Sequence, residues 1–361
     1  MNEVRYRPAR LLSPFLVASL LFLLSGGAAW GWIYGIPGVS GSVDLPEGWV
    51  TLQETESKYT FSDPGENCFL HIKRYPAATA ARAYDLFVMV KEQLNAEGDG
   101  APFRYCGADA CLADLSFSAG DTSFRGYLLF FNLAEADLVL MAIAPKELYE
   151  SAQDYLLSVL DTFARIPDGL RLPGPVAQFL TGTEEAAESF RLVFPGTEVA
   201  VDVKSGELET AQLLIEREAR ILVAYTNAGD LRFDAWRRYY RLIYRDNYSR
   251  LDPVYRAASA ALRLEGQTPY NKVKILLEWI QGFSYNRTGT LSDLESPLSG
   301  ALHGTGDCDS RALLYLILLA HSDVQGILMV SERYSHAIAG IDIPGPGARF
   351  SYEGRSLLVA E

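Results

Sequence analysis

The run Asp309-Ser310-Arg311-Ala312-Leu313-Leu314-Tyr315-Leu316-Ile317-Leu318-Leu319-Ala320-His321 is apolar nearly all round. A helix with no polar face has to be enclosed by its own domain, and this one is too short to cross a bilayer. It follows Gly304-Thr305-Gly306-Asp307-Cys308. The sequence therefore predicts a buried central helix with Cys308 at its N-terminus and Asp307 or Thr305 as its cap. First-turn N–H groups and the macrodipole favour thiolate over thiol there. Ser335-His336-Ala337 follows one strand later, and a thiol with an imidazole is the minimum set for nucleophilic acyl chemistry. A lone cysteine at a helix start can also be simple core. His321, in the last turn, reads as structural: partial positive charge is favourable there, and the helix holds it far from Cys308.

The N-terminus is unlike the rest. Arg5, Arg7 and Arg10 precede an apolar stretch from Leu11 to about Pro37, ending in Trp30-Gly31-Trp32-Ile33-Tyr34. The stretch is long enough to span a membrane, and the tryptophans suit the far interface. The expectation is an uncleaved anchor with a cytoplasmic basic tail (1–40) and an extracytoplasmic bulk. The competing reading is a signal peptide cleaved at Ser25-Gly26-Gly27-Ala28-Ala29. The net charge of −13 argues against a general nucleic-acid binder. Cys106 and Cys111 bracket Gly-Ala-Asp-Ala at an expected hairpin tip. They read either as a disulfide, which export would permit, or as two buried thiols. No second Cys or His pair accompanies them, so no metal site is expected. Cys68 reads as core and His71 as a strand histidine.

The chain's 361 residues exceed one usual domain. The order of elements from about 44 to 165 predicts α+β: one antiparallel sheet with two helices packed on it. Strands are expected at Tyr59–Ser62, Cys68–Lys73, Cys111–Phe117, Gly126–Asn132 and Leu138–Ala144, and helices at Ala78–Leu94 and Lys146–Phe163. Residues 166–175, rich in Pro and Gly, read as a linker. A β-rich patch and then a helical lead-in fill 176–267. Within it, Trp236, Tyr239, Tyr240, Ile243 and Tyr244 recur at helical spacing, with Arg237, Arg238, Arg241 and Arg245 on the remaining face. That face reads as a solvated arginine stripe, or else as a basic groove for an acidic partner or lipid headgroup. Thr268-Pro269 starts a further helix, which Gly282 stops, and a polar loop from Arg287 to Gly306 leads to Cys308. After the Cys308 helix come the strand Gly326–Ser331, the His336 strand, and a meander that sets a residue near Glu361 beside His336.

Two resemblances follow from these residues. Leu45-Pro46-Glu47-Gly48-Trp49 and Leu160-Asp161-Thr162-Phe163, at the ends of the first segment, resemble the PsbP-like fold, which implies a binding or scaffolding domain without catalytic residues. Residues 268–361, with Gly-Asp-Cys-Asp, the apolar helix and Ser-His-Ala in order, resemble the transglutaminase-like superfamily of papain-related cysteine enzymes. That resemblance implies a central Cys helix packed on an antiparallel sheet. It assigns Cys308 as nucleophile and His336 as general base and acid. The third member, usually an Asp on the following strand, falls on Glu361, which keeps the charge on a longer arm. The family domain normally continues beyond that point, so the sequence reads as incomplete there. Asp342 is the rival third member, about 20 Å along the His strand. The implied chemistry is acyl transfer on a protein or peptide through a thioester, resolved by water or by an amine, with no cofactor and no metal. The alternative is an inactive transglutaminase-like binding or assembly protein of the cell envelope.

Overall fold

The computed structural model describes Ser19–Leu20 and residues 33–182 and 186–361. Of the N-terminal apolar stretch it describes two strands: β1 (Ser19–Leu20) and β2 (Ile33–Gly35). Residues 11–18 and 21–32 of that stretch, which include the alternative cleavage site, lie outside the described residues. Among the described residues no helix is long and apolar enough to cross a membrane. β2 pairs with β3 (Gly41–Asp44).

The first unit is α+β. Strands β4 (Val50–Glu54), β5 (Lys58–Ser62), β6 (Phe69–Tyr75), β7 (Glu97–Tyr105), β8 (Ala108–Ala119), β9 (Thr122–Asn132) and β10 (Asp137–Pro145) form one antiparallel sheet in the order β4-β5-β6-β10-β9-β8-β7. Helix α1 (Ala83–Leu94) covers one face through Leu86, Phe87 and Val90. Helix α2 (Tyr149–Asp161) covers the other through Leu156, Val159 and Leu160. Burying both faces explains why inward apolar residues alternate between two separate cores. β7 was not expected, because Gly98, Gly100 and Pro102 weaken a strand pattern. It forms an edge of the sheet, where a proline costs no ladder bond.

The expected linker is packed structure. β11 (Ala164–Arg165) pairs with β3, a 3₁₀ turn follows at Asp168–Arg171, and α3 (Pro175–Thr181) starts at Pro175. The hairpin β12 (Ala187–Phe194) and β13 (Thr197–Lys204) follows, then α4 (Glu207–Ala224), α5 (Leu231–Arg250), α6 (Asp252–Ala261) and α7 (Pro269–Gln281). Thr268 caps α7, its hydroxyl accepting from Asn271 N–H at 3.3 Å. The loop to Cys308 contains an unforeseen short helix, α8 (Pro297–His303). Helix α9 (Cys308–His321) is the buried centre of the second core. It packs on the sheet β1-β14-β15-β17-β16, with β14 (Gly326–Ser331), β15 (His336–Ile341), β16 (Arg349–Tyr352) and β17 (Arg355–Ala360). β1 occupies the outer edge of β14, Ser19 opposite Met329. This departs from the helix expected there. An unpaired strand edge is an alternative partner for an apolar backbone.

The arginine stripe of α5 faces protein rather than solvent. Arg237 is exposed and pairs with Asp234, but the rest of the stripe is directed at the first unit. Arg241 forms a bidentate pair with Asp44 at 2.8 and 2.9 Å. Arg238 donates to Glu218 at 3.0 Å and to Ser158 at 2.8 Å. Arg217 of α4 reaches Asp161 at 2.8 Å and Glu218 at 2.9 Å. Arg245 donates to the carbonyls of Thr162, Phe163, Gly169 and Leu172 at 2.8–3.1 Å. A helical wheel finds such a stripe but does not reveal what covers it. Here it covers carbonyls left after α2 and the carboxylates of Asp44 and Glu218.

Candidate functional site

Asp307 caps α9, its Oδ1 accepting from Ser310 N–H at 2.9 Å. Thr305, the other expected cap, instead donates to Glu295. The segment before Cys308 is held from both sides. Ser284 forms a parallel bridge with Thr305, with Ser284 N–H on Gly304 O at 2.8 Å and Gly306 N–H on Ser284 O at 3.1 Å. The Arg311 guanidinium, one turn into the helix, donates to Gly306 O and Phe283 O, both at 2.9 Å. Gly306 adopts φ +136, a backbone region that favours glycine. Glu295 gathers the loop further: its carboxylate accepts from Thr305, Ser299 and Asn286, and its carbonyl accepts from Ser310. Sequence reasoning passed over Glu295 and Arg311 because their partners lie up to 28 residues away.

Cys308, His336 and Glu361 line one cavity of about 320 Å³, with Gln281, Tyr285 and Ser335 around them. His336 Nε2 lies 2.7 Å from Glu361 Oε1. The sheet register explains the meeting. Ala339 is opposite Ala360, which sets Glu361 opposite Ile338, and residues 336 and 338 share a face. The pair is open to water: the side chains are 41% and 69% exposed. Asp342 does not join it; it pairs with Arg355 at 3.6 Å at the far end of the strand.

The Cys308 thiol departs from expectation. Burial pushes it up, Asp309 and Asp307 add to that, and a hydrogen bond from the Ala337 backbone opposes it. Its Sγ sits 3.7 Å from Asp309 Oδ1 as a donor. The helix N-terminus favours thiolate, whereas burial and the two flanking carboxylates favour the thiol. Asp309 is itself raised, by burial first and then by Asp307, while Tyr240 OH donates to its Oδ2 at 2.8 Å.

The remaining candidates are structural. Cys106 and Cys111 are not bridged. Cys111 lies opposite Pro102, several residues back from the tip that holds Cys106, and the two thiols serve opposite faces of the sheet. His71 bonds Thr60 at 2.9 Å, and burial holds its imidazole down at about 4. His321 stacks on Tyr255 and meets Tyr248 at a tilt, and burial lowers it. Its Nδ1 lies 3.5 Å from Asp252 Oδ1, and the Tyr248 carbonyl and Asp252 oppose the lowering. Among the described residues no cluster of His, Cys, Asp and Glu could hold a metal ion.

No protein-family model matches the chain, and no curated protein matches it. Among solved structures, cyanobacterial PsbP (CyanoP) from Synechocystis sp. PCC 6803 is 12% identical, over 39% of this chain and 96% of its own, with a TM-score of 0.33. LpqN, involved in cell envelope biogenesis of Mycobacterium tuberculosis, is 16% identical over 36% and 85%, with a TM-score of 0.27. A protein from Bacteroides thetaiotaomicron VPI-5482 is 11% identical over 91% and 89%, with a TM-score of 0.28. These are weak likenesses of fold, to a PsbP-like domain in the first two, and the transglutaminase-like resemblance finds no support in them.

Proposed function

We propose that this chain is a transglutaminase-like cysteine enzyme acting on amide bonds of a protein or peptide. The observation that carries the reading is the His336–Glu361 contact of 2.7 Å inside the cavity that also holds Cys308. Glu361 accepts from Nε2–H and so fixes the tautomer in which Nδ1 is the acceptor. His336 then takes the Cys308 proton as Sγ attacks the substrate carbonyl carbon. The oxyanion falls near the first-turn N–H groups of α9. His336 returns the proton to the leaving amine, the C–N bond breaks, and a thioester remains. Water or a second amine cleaves the C–S bond and restores the thiol. Burial and the flanking carboxylates favour the thiol, which suits His336 to the role of general base during attack.

The test is iodoacetamide capture of Cys308 in wild type and His336→Ala across pH. A His336-dependent rate at neutral pH supports the reading; equal rates, no faster than an ordinary thiol, sink it. The second reading is an inactive binding or assembly protein of the cell envelope. It is favoured by the two carboxylates that oppose thiolate formation. Export and anchoring through the N-terminal apolar stretch belong to the proposal on sequence grounds, and they require Ser19–Leu20 to leave the β14 edge. Retention of the full chain in the membrane pellet after alkaline carbonate washing is the outcome that supports them; release contradicts an anchor.

A further inference from the structure

A second cavity, of about 360 Å³, is lined by Asp309, the residue after Cys308 in α9. Its walls include Phe233, Trp236, Tyr239 and Tyr240 from α5, and its polar groups include Asp309, Glu332 and Arg232. Two of these charges are already matched: Arg232 lies 3.5 Å from Glu332. Arg232 also sits 4.6 Å from the centre of the Phe233 ring, so one cation already rests on this aromatic wall. Asp309 is different. It takes hydrogen bonds from the neutral donors Tyr240 and Cys308, and among the described residues it forms no ion pair. Arg287 acts on it only at a distance, and Asp307 repels it. An open, ring-walled cavity with one half-buried carboxylate lacking a counter-ion complements an organic cation, which gains from both the rings and the charge.

We propose that this cavity is a subsite for an organic ammonium group, held against the rings of Trp236, Tyr239 and Phe233 with its charge against Asp309. Asp309 links this cavity to the sulfur that lines the other: Oδ2 takes the Tyr240 hydroxyl and Oδ1 faces the Cys308 sulfur. A bound ammonium cancels the negative charge that favours the thiol, so occupancy makes Cys308 easier to ionise and faster to react. Binding stands without the enzyme reading; the effect on Cys308 rests on it.

The test titrates the full chain with butylammonium chloride and with tetramethylammonium chloride, reading Trp236 fluorescence against a W236F control. Iodoacetamide capture of Cys308 is timed in parallel by peptide mass spectrometry. A saturable change is expected, absent in W236F and about tenfold weaker in D309N. Saturating ammonium speeds Cys308 capture several-fold, whereas D309N reacts fast without ammonium and is indifferent to it. Tighter butylammonium binding points to a lysine-type side chain; tighter tetramethylammonium binding points to a trimethylammonium headgroup. No saturable change with either salt, or equal affinity in D309N, overturns the proposal. Ammonium binding beside an inert Cys308 keeps the subsite and sinks the enzyme reading. Rapid capture with no ammonium binding does the reverse.

Discussion

Replacing Arg238 by Met removes one of four charges that balance inside the molecule. Arg217 and Arg238 face Asp161 and Glu218, with side chains at most 8% exposed. Met keeps most of the stem volume, so the loss is mainly electrostatic. One negative charge is left unmatched, Glu218 loses its 3.0 Å partner and Ser158 loses a 2.8 Å donor. Breaking a buried pair by removing one partner costs about 3–5 kcal/mol. The double variant R238M/E218Q is neutral again and should lose only about 1–2 kcal/mol, well below the sum of the single losses. Urea unfolding followed by tryptophan fluorescence reports both, since Trp49 and Trp279 lie in different cores. If R238M costs under about 1 kcal/mol, or if the double variant loses at least the sum, the α5 stripe is not the balanced joint described.

Glu361→Gln should leave stability unchanged, because the His336 pair is exposed and such pairs contribute little. Thioester formation should slow about 100-fold, as measured by single-turnover kinetics. Burial pushes Glu47 up to about 7 from an ordinary 4.5, so the folded chain holds a proton that the unfolded chain releases between those values. Stability should therefore fall as pH rises from 4.5 to 7, by up to about 3 kcal/mol, and Glu47→Gln should flatten that slope in urea titrations. Arg311→Met removes the two donors that fix the approach to Cys308. It should cost roughly 1–3 kcal/mol in urea and slow Cys308 acylation more than its effect on stability accounts for.

Helix α9 was legible to the residue, because an unbroken apolar run after an Asp cap has few other folds. The meeting of His336 and Glu361 was legible as well, since sequential antiparallel strands fix which positions share a face. The joint between the units was not. Arg245 gathers carbonyls more than 70 residues away, and no local pattern announces a carbonyl that needs a donor. The Cys106–Cys111 spacing left a disulfide and two separate thiols open; Cys106 sits at the tip and Cys111 opposite Pro102, and the two serve different faces of the sheet. The thiolate expectation weighed the helix terminus; burial and Asp309 act against it. What the sequence hid was the orientation of Asp309, set by Tyr240 from α5.

The central claim is that Cys308 forms an acyl thioester with help from His336. It is tested most directly by mixing the full chain with p-nitrophenyl acetate and following the p-nitrophenolate burst, with peptide mass spectrometry to locate the acyl group. A burst approaching one equivalent is expected in wild type, with acetyl on Cys308, a burst slowed at least tenfold in His336→Ala, and none in Cys308→Ala. An acetyl group spread over lysines, with the same slow release in all three proteins, would contradict it.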